Sequence, residues 1–117
     1  MTDSIGVALK RDRIVDITTT GRRSGKARRI EIWMFHVDGE LYITGRPGRR
    51  GWYANVLADP RLMLHLKKTV QADLPARALP VTNPVARRDV FAAIQQHFPV
   101  SVEDMVAASP LVAIELD

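Results

Sequence analysis

The chain contains no cysteine. Disulfides, thiolate nucleophiles and cysteine-ligated zinc or iron–sulfur centres are therefore excluded together. Histidine is scarce too: His36, His65 and His97 are the only three, and none stands three or four residues from another. That spacing argues against a metal site, and His36 and His65, which fall within strand patterns, read as structural or surface residues. Long apolar runs are missing, whereas a bilayer-spanning helix needs about 20 consecutive apolar residues. The opening MTDSIGVALKRDR lacks the charged region followed by an apolar core that marks a secretory signal. The expectation is a protein of the cytoplasm. Paired carboxylates for acid–base work are also absent, since Glu103-Asp104 reads as a helix start and Asp38 as part of a turn.

What is present suits a globular protein. A hydrophobic share of 46 % over 117 residues, with mean hydropathy −0.08, predicts one domain spanning residues 1–117, able to bury roughly 60–70 % of its unfolded surface. Charge is lopsided. The first 50 residues carry 11 Lys and Arg against six Asp and Glu, the remainder six against seven. One end of the molecule is thus a positive surface, suited to solvation or to phosphate and nucleic acid.

Residues 13–20 are rich in β-branched side chains and run into Gly21, predicting a strand that enters a turn. From Arg28 to Val37, Ile30, Ile32, Met34 and His36 alternate with Glu31, Trp33, Phe35 and Val37, the period of a strand. Asp38-Gly39 is a favoured hairpin turn, with ELYIT as partner strand. The glycine-rich segment 45–51 is loop, and Trp52–Ala58 makes only a short helix because Pro60 disfavours a helical Asp59. RLMLHLK forms a further strand. Residues 70–81 form another, which Pro75 and Pro80 place at an edge or a bulge. Asn83-Pro84 starts an amphipathic helix over 84–98, with Val90, Ile94 and Phe98 on one face and Pro99 as its stop. SVEDMVAAS makes a helical turn and PLVAIEL a last strand. Strands dominate, which predicts a mainly β fold: an antiparallel barrel with helical additions rather than a parallel doubly wound sheet.

The turn TTTGRRSGKARR concentrates Arg22, Arg23, Ser24, Gly25, Lys26, Arg28 and Arg29. It is not a nucleotide-binding P-loop, because Thr20 stands where the first glycine is required, Ala27 where a magnesium-binding hydroxyl is required, and a strand follows. Backbone N–H groups in such a turn nonetheless form an anion-binding concavity, and arginine grips phosphate oxygens in a two-pronged fork.

Taken in order, TTTGRRSGKAR, a strand pair with a DG turn, and GWYANVLADP resemble the deazaflavin-dependent nitroreductase family of split β-barrel oxidoreductases, found mainly in actinobacteria. The resemblance runs from about Ile17 to Leu66. It implies a split β-barrel of about six antiparallel strands with one long and one or two short helices. It also implies coenzyme F-420, an anionic deazaflavin with a phosphodiester and an oligoglutamate tail. By similarity, Arg22, Arg23, Ser24 and Gly25 would meet the phosphate, Lys26 and Arg28 the tail, and Trp52, Tyr53 and Asn55 the coenzyme's side, with Arg46 and Arg49 on the loop above. The implied reaction is hydride transfer to a small electron-poor acceptor such as a quinone, with Thr44 or Tyr53 as proton donor. The loop 45–51 is shorter than in the nitroreductases proper, and their C-terminal tyrosines are missing, Tyr42 and Tyr53 being the only tyrosines here.

Other readings share these residues. A split-barrel protein binding flavin mononucleotide (FMN) would use the same phosphate site, and a non-catalytic coenzyme- or ligand-binding protein would keep it without turnover. Trp33 and Phe35, on one strand face, would give a nucleic-acid binder its stacking platform. A second copy of the chain is admitted as a partner.

Overall fold

The computed structural model describes residues 3–117. Six antiparallel strands form a closed barrel: β1 (Ile14–Thr20), β2 (Ala27–Val37), β3 (Glu40–Thr44), β4 (Arg61–Leu66), β5 (Ala72–Pro80) and β6 (Leu111–Leu116), in the order β1-β2-β3-β6-β5-β4. Four helices accompany it: α1 (Ser4–Arg11), α2 (Gly51–Ala58), α3 (Pro84–Gln95) and α4 (Val102–Ala108). The split-barrel expectation holds. Asp38 and Gly39 both take positive φ, at 49° and 82°, as the two-residue hairpin between β2 and β3 requires.

Inward-facing residues fill the barrel, among them Val15, Ile17, Met34, Ile43 and Leu64, each with no exposed surface. A second core lies outside, where Phe35, Phe91, Ile94, Met105 and Leu111 pack together between the barrel wall and the α3–α4 pair. Met34 and Phe35 are neighbours in sequence and both buried. β2 is therefore covered on both faces at that point, and each such large apolar side chain contributes about 1.5–3 kcal/mol on burial.

Three details differ from the sequence expectation. Residues 72–80 form no edge strand, because β5 pairs with β4 on one side and β6 on the other. In an antiparallel strand the N–H and C=O of a residue point the same way. Pro75 faces β6 where that strand ends, its carbonyl accepting from the Asp117 N–H (3.1 Å), and Pro80 faces the β4 side, beyond the Ala78 N–H that already reaches Pro60 outside β4. Neither missing N–H breaks a ladder. Second, α3 stops at Gln95 rather than at 98, since Pro99 bars Phe98 from helical geometry. Phe98 still packs edge-on against Phe35, at 5.4 Å between centroids. Third, α1 was not expected. Asp3 caps it by accepting from the Gly6 N–H (3.0 Å), Lys10 and Arg11 lie in its last turn, and Ala8 is its one buried residue.

Arg87 fastens the outer layer. Its guanidinium donates to the carbonyls of Val81 (2.9 Å), Met105 (3.0 Å), Val106 (3.0 Å) and Ser109 (2.5 Å). Three of these lie at the C-terminal end of α4, where a cation is favoured, although the Met105 carbonyl also accepts from the Ser109 N–H (2.9 Å). Beside it the Gly48 N–H reaches the Ala108 carbonyl (3.0 Å) and the Thr44 hydroxyl the Pro110 carbonyl (2.7 Å). The loop between β3 and α2 is thereby anchored to the far end of the chain.

Candidate functional site

The basic turn joins β1 to β2 and is closed by its own backbone: the Gly21 N–H donates to Lys26 C=O and the Gly25 N–H to Gly21 C=O, both at 2.8 Å. Ser24 Oγ accepts from the Lys26 N–H at 3.2 Å, leaving the hydroxyl proton available to a ligand. A Cβ at Gly21 would stand 2.6 Å from Ser24 Oγ. Gly25, at φ 70°, supplies the left-handed residue of the turn.

Helix α2 crosses beside this turn. Asn55, only 6 % exposed, donates from Nδ2 to Thr19 Oγ1 (3.1 Å), and its Oδ1 accepts from the Arg22 N–H (3.2 Å) and Arg22 Nη1 (3.0 Å). One buried amide thus ties helix, strand and turn together. Between them opens a cavity of about 470 Å³ with Arg22, Arg23, Ser24, Arg28, Arg50, Trp52 and Asn55 in its wall. Four arginines face it, no carboxylate does, and none of the four makes an ion pair among the described residues. A second cavity of about 380 Å³ adjoins it across Ile30, Arg50 and Trp52, and is walled further by Ile32, Trp33, Thr44 and Arg46. The first is cationic and the second largely apolar.

Of the residues expected from sequence, Arg22, Arg23, Ser24, Arg28, Trp52 and Asn55 meet in the first cavity, and Thr44 and Arg46 lie in the second. Lys26, Arg49 and Tyr53 line neither. Tyr53 packs edge-on to Trp52 at 5.8 Å. Gly25 faces a groove of about 520 Å³ on the opposite side of the turn. That groove holds Arg61, Arg77 and Asp117, so a carboxylate lies in its wall, and its Arg61 is held by Asp59 through two contacts of 3.0 and 3.1 Å. The pairing lowers the Asp59 pKa and raises that of Arg61. Arg50, Thr19 and Ile30 were missed. Arg50 differs from its neighbours in sequence only by position, and nothing local singles it out.

Two other arrangements proved structural. His65 lies between Thr18 Oγ1 (2.7 Å from Nε2) and Asp73 Oδ1 (2.6 Å from Nδ1), a satisfied histidine on the barrel wall. Asp16 and Glu31 are cross-strand partners, so a carboxylate pair does exist, but Lys67 Nζ sits 2.7 Å from Asp16 and 2.5 Å from Glu31. Arg29 adds a contact of 3.0 Å to Asp16. Hydrogen bonding from Lys67 is the largest influence holding the Asp16 carboxyl below its ordinary pKa, with Arg29 acting the same way against burial. The aromatic platform is closed, since Phe35 is buried and Trp33 stacks on Phe98 at 6.5 Å. No group of three or more potential metal-ligating residues forms among the described residues, and no helix is long and apolar enough to cross a membrane.

The closed six-stranded barrel, with a cationic turn and an aromatic helix beside it, is the split β-barrel class of fold. Solved structures agree on the fold. An F420 reductase superimposes with TM-score 0.70 at 15 % identity, over 100 % of this chain and 96 % of that one. An F420-H2 dependent reductase gives 0.59 at 24 %, over 89 % and 95 %, and the General Stress Protein 26 of Bacillus anthracis 0.71 at 15 %, over 97 % and 87 %. No curated protein matches the chain. A family model matches residues 1–110, and the chain belongs to that family, F420H(2)-dependent quinone reductase. It is thus a deazaflavin-dependent oxidoreductase with F-420 as coenzyme and a small molecule as electron acceptor.

Proposed function

We propose that Arg22, Arg23 and Ser24 hold the coenzyme's phosphodiester in the first cavity, that Arg28 and Lys26 meet its carboxylate tail, and that its ring lies along Trp52 toward the apolar second cavity. The observation that carries this reading is four arginines around one cavity with no acidic partner. The four guanidinium groups are free to meet an anion, and a charge-assisted hydrogen bond to phosphate is worth about 1.5–3 kcal/mol. Arg46 and Arg49 lie on the loop above. When bound, the reduced deazaflavin supplies the hydride. The chain's own residues bind and orient it, and α2 shields it from water. The product's proton comes from solvent, because the Thr44 hydroxyl is spent on Pro110 and Tyr53 lines neither cavity. Cytoplasmic location belongs to this reading. So does a homodimer, supported by a solved structure described as a domain-swapped dimer, with TM-score 0.63 and 24 % identity over 97 % of this chain and 87 % of that one.

Tryptophan fluorescence titration tests the assignment, since Trp52 lines both cavities. The deazaflavin coenzyme should bind more tightly than FMN, and Arg23→Ala should weaken it by about 10- to 100-fold. Preference for FMN would move the protein to the FMN-binding class.

A further inference from the structure

We propose that Arg46 acts on the acceptor rather than on the coenzyme, stabilising the negative charge that hydride addition places on an acceptor oxygen; this rests on the coenzyme occupying the first cavity. The second cavity has four polar side chains in its wall, Glu31, Thr44, Arg46 and Arg50. Three are already engaged. The Glu31 carboxylate is held by Lys67 at 2.5 Å, the Thr44 hydroxyl donates to Pro110 at 2.7 Å, and Arg50 Nη2 turns back onto the carbonyls of Arg46 and Pro47, each at 3.3 Å. The Arg46 side chain makes no hydrogen bond or ion pair among the described residues. Its guanidinium carbon lies 6.0 Å from the centroid of the Trp33 ring, which is part of the same wall. Cation–π attraction therefore keeps a free, permanently charged fork beside a cavity whose other charged and hydroxyl side chains are engaged.

The acceptor this serves is a conjugated carbonyl compound, a quinone or enone, as the family's activity implies. The C–H bond of the reduced coenzyme breaks, its electron pair travels with the hydrogen to the acceptor, and the acceptor's π electrons move onto oxygen. That oxygen carries a full negative charge until a proton from water reaches it. Donors placed where charge develops, but not in the ground state, accelerate the step. Arg46 is exposed, so solvent screening reduces its effect to about tenfold rather than the hundredfold or more of an enclosed oxyanion hole.

The test is binding to the coenzyme-free protein, followed by tryptophan fluorescence, of naphthoquinone and of hydroxynaphthoquinone, which is ionised at neutral pH and mimics the charged product. Inorganic phosphate is present to fill the basic turn. The wild-type chain should prefer the anion by about tenfold, Arg46→Gln should abolish the preference, and Arg46→Lys should keep part of it. With coenzyme added, Arg46→Gln should lower kcat on naphthoquinone by about tenfold while coenzyme affinity holds. Anion preference retained in Arg46→Gln overturns the proposal. So does loss of coenzyme affinity with quinone binding unchanged, which would assign Arg46 to the coenzyme. Failure of the wild-type chain to bind the coenzyme at all would instead sink the site assignment, leaving the quinone titration interpretable on its own.

Discussion

Replacing Asn55 by leucine removes the amide that joins α2 to the turn while nearly preserving side-chain volume. Three hydrogen bonds are lost. The Thr19 hydroxyl, 2 % exposed, is left buried without that donor, a cost of about 1–3 kcal/mol. Arg22 is exposed and regains water, so its two bonds add less, and the sum is roughly 3 kcal/mol. For a chain of this length that is a fall in Tm of roughly 10 °C, read by circular dichroism. The double variant Asn55→Leu with Thr19→Val replaces both buried partners by apolar groups of similar shape and should recover about half the loss. Coenzyme affinity behaves differently. Arg22 loses its tether in the single and the double variant alike, so both should bind about tenfold more weakly. A Tm within about 1 °C of wild type, or a double variant no more stable than the single, would refute the view that this amide is what links turn to helix.

Arg87→Met removes a donor from four carbonyls, of which Met105 keeps the Ser109 N–H, and should cost roughly 3 kcal/mol by chemical denaturation. Arg87→Lys should recover less than half of it, because an ammonium cannot span the fork geometry. The Asp16–Lys67 pair sets both limbs of the pH–stability curve. With Asp16 depressed below 3.8, its contribution is present above that value and is lost as pH falls through the lower folded-state pKa. With Lys67 raised above 10.5 by Asp16 and then Glu31, its contribution is present below that value and is lost as pH rises through the higher one. Urea midpoints across pH should show both limbs flattened in Lys67→Met, and unchanged limbs would remove the pair from the account.

Much of the barrel was legible because strand period and turn chemistry are local. Ile30, Ile32 and Met34 alternate, and Asp38-Gly39 can adopt positive φ. Closure was not local. Nothing in residues 72–80 announces that β6 will cover the side that Pro75 seems to forbid, since the outcome depends on where β6 ends. Helix α1 escaped notice because it buries only Ala8, too little for a periodic pattern. The site followed the same division. Arg22, Arg23, Ser24 and Arg28, which line the first cavity, lie close together in sequence and were readable as one basic turn. Arg50, Thr19 and the place of Trp33 in the second cavity were not, because α2 and the 45–50 loop bring them together only in the folded chain.

The anchoring of the 45–50 loop to Ala108, and of Thr44 to Pro110, sets an order of events during synthesis. Ribosomes extend a chain at about 5–20 residues per second, so the basic turn and α2 emerge several seconds before the segment that fixes the roof over them. During that interval the nascent chain displays its arginines without a cavity, and barrel closure awaits β6, which pairs with β3 some 70 residues earlier in the chain. A ribosome-stalled fragment ending before residue 108 should expose the cationic hairpin and lack the anchors that Ala108 and Pro110 give to the loop and to Thr44.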